Sequence, residues 1–206
     1  MSTCPTVGIL LAAGAGRRFG GDKLLAPLHG RALVLHALAA LHPAVDQVIA
    51  VVRPGAGALA DALEQAGAQV VECPRATLGM GHSLACGADH APPAARLLVS
   101  LGDMPAVRPD TIRRVRRALE RGAVIVVPTH HGHRGHPVGF ASALQRELTR
   151  LVGDQGARAL LQRHAADVRE IAVDDPGILH DVDTPTDLSE TTARALTPVP
   201  RAPADR

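Results

Sequence analysis

Apolar positions along this chain come in short runs parted by polar, glycine-rich or proline-rich joints, and the spacing inside the runs alternates. TVGILLAA (6–13) is a continuous apolar stretch of strand length, whereas RALVLHALAALH (31–42) repeats its leucines and alanines at helical spacing. The alternation recurs: DQVIAVV (46–52) reads as a strand, GALADALEQAG (57–67) as a helix, AQVVEC (68–73) as a strand and 81–90 as a helix. RLLVSL (96–101), PDTIRRVRRALERG (109–122) and AVIVVP (123–128) extend it by strand, helix and strand. Alternation of this kind predicts an α/β fold, a Rossmann-like three-layer α/β/α sandwich whose mostly parallel sheet is covered on both faces.

After Pro128 the rhythm changes to a polar His/Gly loop, a short PVGF run and two helical stretches within 142–165. VREIAV (168–173) and ILHDVDTP (178–185) come next, and this half is expected to complete the same sheet, with room for an antiparallel strand. Residues 1–195 are expected to form one domain, ahead of a Pro-rich tail at 196–206.

Composition narrows the function classes. The formal net charge of +2 comes without a basic block, which argues against a nucleic-acid partner. Phe19 and Phe140 are the only aromatic residues among Phe, Tyr and Trp, so bases cannot be read by rows of stacked rings. Cys4, Cys73 and Cys86 are odd in number and form no CxxC pair, and no apolar run reaches the roughly 18 residues of a membrane helix. A reduced, cytoplasmic protein with no membrane partner is the expectation.

The first strand runs into LLAAGAGRRFGGDKLL (10–25), where ligands of open parallel sheets gather beyond the strand ends. Gly14, Gly16 and Gly20 give GxGxxxG rather than the dinucleotide GxGxxG, and Asp22 and Leu24 around Lys23 break the Walker pattern. What remains is small residues for close backbone approach to phosphates, two arginines and Lys23, the only lysine beside 21 arginines. That combination suits a polyphosphate clamp.

LAAGAGRRFGGDKLL resembles the LAAGxSxRMGxxKLL signature of the molybdenum cofactor cytidylyltransferases, in the MobA-like nucleotidyltransferase superfamily of nucleotide-diphospho-sugar transferase type. It departs at Gly16, usually Ser, and at Phe19, usually Met. The resemblance implies nucleotide contacts from Leu11, Ala12, Ala13, Gly14, Ala15 and Gly16, with Arg18 and Lys23 on the triphosphate.

Further motifs occur in the family's order. Asp103 in LLVSLGDMPAV (97–107) stands just past an apolar strand, where a carboxylate suits a hard cation, although an Asp before Pro105 is also an ordinary turn. In HDVDTPTDL (180–188), Thr184, Pro185 and Asp187 read as a helix start. Asp181 and Asp183 alternate around Val182 and would share a face if the segment were a strand. The resemblance implies that Asp103 and Asp183 hold Mg²⁺, with Arg18, Lys23 and Asp103 as the catalytic set. RATLGMGHSLACG (75–87) is similar to the family's base loop, which assigns Leu78, Gly79, Met80, Gly81 and Ser83 to the nucleotide.

THHGHRGHPVGF (129–140) packs four of eleven histidines into seven residues, but no cysteine or carboxylate accompanies them to make a closed metal site. Its GHPV resembles the acceptor-facing segment of the family, which implies that Arg134, Gly135, His136 and Pro137 line the acceptor pocket. The resemblance therefore implies a Mg²⁺-dependent enzyme that takes CTP and a molybdopterin-type cofactor. A molybdenum hydroxylase apo-enzyme of the xanthine dehydrogenase type would be a recipient protein. GTP-dependent guanylyl transfer and a non-catalytic accessory protein are the alternatives.

Overall fold

The computed structural model describes residues 4–14, 16, 19 and 21–195. The chain runs through β1 (Thr6–Ala12), a minimal hairpin of β2 (Pro27–Leu28) and β3 (Arg31–Ala32), and α1 (Leu33–Leu41). Then come β4 (Gln47–Val52), α2 (Gly57–Gln65), β5 (Gln69–Glu72), α3 (Met80–His90), β6 (Arg96–Leu101) and α4 (Pro109–Glu120). The second half comprises β7 (Ile125–His130), β8 (His133–Arg134), β9 (Val138–Phe140), α5 (Gln145–Leu148), α6 (Arg158–Arg163), β10 (Val168–Ala172) and α7 (Pro185–Ala195).

Among the described residues the main sheet has the order β10-β7-β9-β6-β1-β4-β5, with β8 paired to β7. β1 is parallel to β4 and β6, β4 to β5, and β7 to β10, while β9 runs antiparallel between β6 and β7. In register, Leu11 lies beside Val51 and Leu101, so the loops after β1, β4 and β6 open at one sheet edge.

Side chains on a strand alternate between faces, and β1 divides the core accordingly. Val7, Ile9 and Leu11 pack with Leu84, Ala88, Leu148 and Leu160 on one side, and Leu10 and Ala12 with Leu33, Leu38, Leu59 and Ile112 on the other. Phe140 is fully buried in the first of these layers. Full burial of each such large apolar side chain is worth about 1.5–3 kcal/mol before entropy is counted.

The segment 178–185 is not a strand. Pro176–Leu179 forms a 3-10 turn whose preceding Asp175 accepts from Gly177 N–H at 3.0 Å. Asp175 is buried and also accepts from Arg108 N–H at 2.9 Å and the Thr111 hydroxyl at 2.6 Å, which ties the turn to α4 rather than to a ladder. Beyond the turn, the chain meets the end of β6 through a bond from Val182 N–H to the Asp103 carbonyl, 2.9 Å. Asp181 is exposed, and the shared strand face for Asp181 and Asp183 does not form.

Candidate active site at the carboxyl edge of the sheet

Three chain segments distant in sequence meet beyond the carboxyl end of β1. Lys23 opens a one-turn 3-10 helix (Lys23–Leu25) that buries it, so the ammonium is held in place rather than waving on a long loop. Its Nζ donates to Asp103 Oδ2 at 2.8 Å and to Asp183 Oδ1 at 2.9 Å. Burial alone would lower the Lys23 pKa, but the hydrogen bonds and negative charge of both carboxylates outweigh it and raise it above the ordinary lysine value.

Each carboxylate is placed by its own backbone. Asp103 follows β6, and its carbonyl accepts from Val182, which brings Asp183 alongside. Asp187 Oδ2 accepts from the backbone of Asp183 at 2.9 Å and of Thr184 at 2.7 Å, and Asp187 N–H donates back to Thr184 Oγ1 at 3.2 Å. This is a capping box at the start of α7. The Thr184 side chain and the two backbone N–H groups hold the Asp187 carboxyl below its usual pKa. Thr184→Ala is expected to cost about 1 kcal/mol, read as a lower melting temperature, and to loosen Asp183 beside it.

A cleft of about 390 Å³ extends from Asp103, walled by Leu11, Ala13, Gly14, Thr77, Gly79 and Ser83. Ala12 points into the opposite core layer, which leaves Leu11 and Ala13 as the side chains of this stretch that face the cleft. Gly16 adopts φ +57°, the left-handed region in which a serine would be strained. Ala15 and Arg18 lie outside the described residues.

The glycines at the start of α3 are needed for close packing. Gly79 has φ +124°, and a Cβ there would overlap Asp154 Oδ1 and the Gly153 carbonyl; at Gly81 it would fall 2.6 Å from the Val152 carbonyl. Gly81 N–H donates to Gly153 O at 2.8 Å. Met80 is half-exposed and lines the cleft, while Leu78 is exposed outside it.

In the 129–140 segment, His136 lines a smaller adjoining cavity of about 170 Å³ with Leu11, Met80 and Arg158. Burial holds the His136 imidazole below its usual pKa, against the opposing pull of the Val99 carbonyl and the Asp103 and Asp181 charges. Gly135 backs onto the Ile178 carbonyl, and Pro137 is buried. Arg134 turns instead to Glu170, 2.7 Å away on β10. His130 reaches the Val173 carbonyl and lies against His131, with ring centroids 4.2 Å apart. Among the described residues no three His, Cys, Asp or Glu side chains are arranged to hold a metal.

Two cleft residues escape the sequence reading. Arg53, one residue past β4, donates to the Gly14 carbonyl at 3.0 Å and pairs with Asp22 at 3.3 Å, fastening the glycine-rich loop from below. Its position after a parallel strand at the ligand edge was the available signal. Asp154 sits in VGDQG (152–156), which by composition is only a turn, and nothing local places it opposite Gly79.

A Rossmann-like sheet thus carries at its carboxyl edge a cleft that reaches Asp103, with the Lys23 bridge from Asp103 to Asp183 beside it. The profile of the MobA-like NTP transferase domain matches residues 8–168, and the chain belongs to that family. It is 34% identical over 193 residues to the bifunctional protein GlmU of Rhodopseudomonas palustris, covering 87% of this chain and 39% of that protein. The chain thus spans less than half the length of the curated relatives it matches. The crystal structure of Rv0371c from Mycobacterium tuberculosis superposes with TM-score 0.81 at 31% identity, covering 93% of this chain and 100% of the other. A manganese complex of Rv0371c superposes with TM-score 0.76 at 31% identity, covering 92% and 98%. Among the described residues no helix is long and apolar enough to cross a membrane.

Proposed function

We propose that this chain transfers CMP from CTP to the terminal phosphate of a molybdopterin-type cofactor, releasing pyrophosphate. The observation that carries the reading is the cation seat beside the cleft, where one ammonium bridges Asp103, which also lines the cleft and follows β6, and Asp183, next to the α7 cap. The donor set fits a divalent metal: the two carboxylates already share one cation, and hard ions such as Mg²⁺ take one or two carboxylates plus substrate phosphates. The manganese complex of Rv0371c supports the same reading. Asp103 and Asp183 would hold the ion, which when bound supplies Lewis-acid charge at the α-phosphate.

The rest of the chemistry falls to positioning. A phosphate oxygen of the acceptor attacks the α-phosphorus in line, the bond from α-phosphorus to the bridging oxygen breaks, and that oxygen leaves with pyrophosphate. The acceptor phosphate is already ionised near neutral pH and needs no general base. Lys23 meets the charge that grows on the departing pyrophosphate, and Arg18 is assigned the same task by its place in the motif. The loop after β1 and the base loop fix the nucleotide so that reacting atoms begin in line.

Ala13 lines the cleft and supports the cytidine branch, since a methyl there leaves less room for a purine than a glycine would. Asp154 supports a base carrying an amino group, because carboxylate oxygens accept from an amino group and cannot pair with the O4 of uracil. Asp154→Asn is accordingly expected to reduce the preference for CTP over UTP about tenfold in competitive binding.

A thermal-shift series with CTP, GTP, UTP and ATP, each with and without Mg²⁺, tests the nucleotide assignment, since a ligand of the folded state raises its melting temperature. The largest shift is expected with CTP and Mg²⁺. A larger shift with GTP would move the chain to guanylyl transfer, and no shift with any nucleotide would favour an accessory protein.

A further inference from the structure

A further cavity, of about 400 Å³, takes no part in the proposed reaction. Its walls are the turn between β2 and β3, α1, the loop from β6 to α4, the 3-10 turn at Pro176–Leu179 and α7. None of its lining residues belongs to the nucleotide cleft or to the cavity that His136 lines. The imidazoles of His29, His36 and His180 and the guanidinium of Arg108 gather here from four separate segments of the chain. The volume is that of an ordinary small-molecule pocket.

The chemistry of the wall favours an anion. Asp175 is the only acidic side chain among the described residues that line it, and it is buried with both oxygens engaged: Oδ2 accepts from Arg108 N–H and the Thr111 hydroxyl, and Oδ1 from Gly177 N–H. The Arg108 side chain is half-exposed, with Nε 4.0 Å from Asp175 and Nη1 donating to the Asp174 carbonyl at 2.6 Å, while Nη2 has no partner among the described residues. Two of the imidazoles have a fixed proton, because a carbonyl only accepts: His36 Nε2 donates to Leu28 at 2.8 Å and His180 Nδ1 to Pro176 at 2.6 Å. The second nitrogen of each ring is left for a ligand, from which it accepts an O–H or to which it donates once protonated.

His29 adds an independent sign. It occupies the first position of the two-residue turn between β2 and β3, at φ +49°, where Asn or Asp before Gly30 would sit without strain. A histidine is kept there instead, its ring edge-on to His36 with centroids 6.4 Å apart. Strain retained at a wall residue is a mark of a binding site.

We propose that this cavity is a second ligand site, which takes an organic phosphate monoester distinct from both the nucleotide and the acceptor. A monoester carries about −1.5 to −2 charge near neutral pH on three terminal oxygens, enough to meet a guanidinium and imidazoles arriving from separate elements. Leu28, Pro105, Ala106 and Pro176 supply apolar wall for the organic part. The cavity is pre-formed: a Cβ at Gly177 would overlap the Ala106 carbonyl, and Asp175 ties the 3-10 turn to α4, so little ordering is required on binding. The site stands apart from the nucleotidyltransferase reading, and either can fail without the other.

Phenyl phosphate is the probe, read through the ring signals of the ¹⁵N-histidine-labelled chain after assignment by single substitutions. Signals of His29, His36 and His180 are expected to shift along one saturation curve with a Kd of about 1 mM or tighter, and to stay in place with phenol. The shifts should persist at saturating CTP with Mg²⁺ and in the presence of the molybdopterin-type acceptor. His29→Asn combined with His180→Ala is expected to weaken phenyl phosphate binding at least about tenfold by calorimetry, with no loss of melting temperature from the turn, since Asn suits the left-handed position. Unmoved histidine signals, displacement of phenyl phosphate by CTP or by the acceptor, or equal affinity in the folded double variant would each overturn the second site.

Discussion

Asp103→Asn is expected to reduce nucleotidyl transfer by about 10³-fold or more while leaving the chain folded. Asparagine keeps an oxygen that can accept from Lys23, and the bond from Lys23 to Asp183 remains, so the loss of stability should be about 1 kcal/mol. The catalytic loss has two sources. A neutral amide is a poor ligand for a hard divalent ion, and charge stabilisation at phosphorus is the largest contribution the protein makes to such a reaction. Steady-state pyrophosphate release gives the rate, and a melting curve for the same preparation separates lost chemistry from lost structure. A variant that melts normally yet transfers at the natural rate would remove Asp103 from the mechanism.

Gly79→Ala is expected to have the next largest effect, and it acts on binding. At φ +124° an alanine is strained by about 1–3 kcal/mol, and its methyl has no room beside Asp154 and the Gly153 carbonyl. The loop at 152–154 must therefore retreat, with the Gly81 to Gly153 hydrogen bond lost and the wall of the cleft displaced. Nucleotide affinity should fall more than about tenfold by calorimetry, together with a lower melting temperature. Unchanged affinity would mean that the nucleotide does not use this wall.

The parallel half of the fold was legible because continuous apolar runs alternate with helical spacing, and β1, β4, β5 and β6 fall where TVGILLAA, DQVIAVV, AQVVEC and RLLVSL put them. The segment around Asp183 was not, since VDTP looks extended by composition while Asp175, far from it in any local pattern, anchors the preceding turn to α4. The convergence of Lys23 and Asp103 was foreseeable from the ligand edge of a parallel sheet, as each comes after a neighbouring strand. Their direct contact was not, because spacing says nothing of a cation seated between carboxylates. Arg53 and Asp154 stayed hidden for a related reason. Each acquires its meaning from a backbone brought against it, Gly14 in one case and Gly79 in the other.

The most direct test of nucleotidyl transfer at this cleft is to follow the α-phosphate itself. With CTP labelled at the α-phosphorus, a molybdopterin-type acceptor and Mg²⁺, label is expected to pass to the acceptor with one pyrophosphate released per transfer, and Asp103→Asn should abolish both. Pyrophosphate release without label on the acceptor, no transfer from any nucleotide, or full transfer by Asp103→Asn would contradict the account.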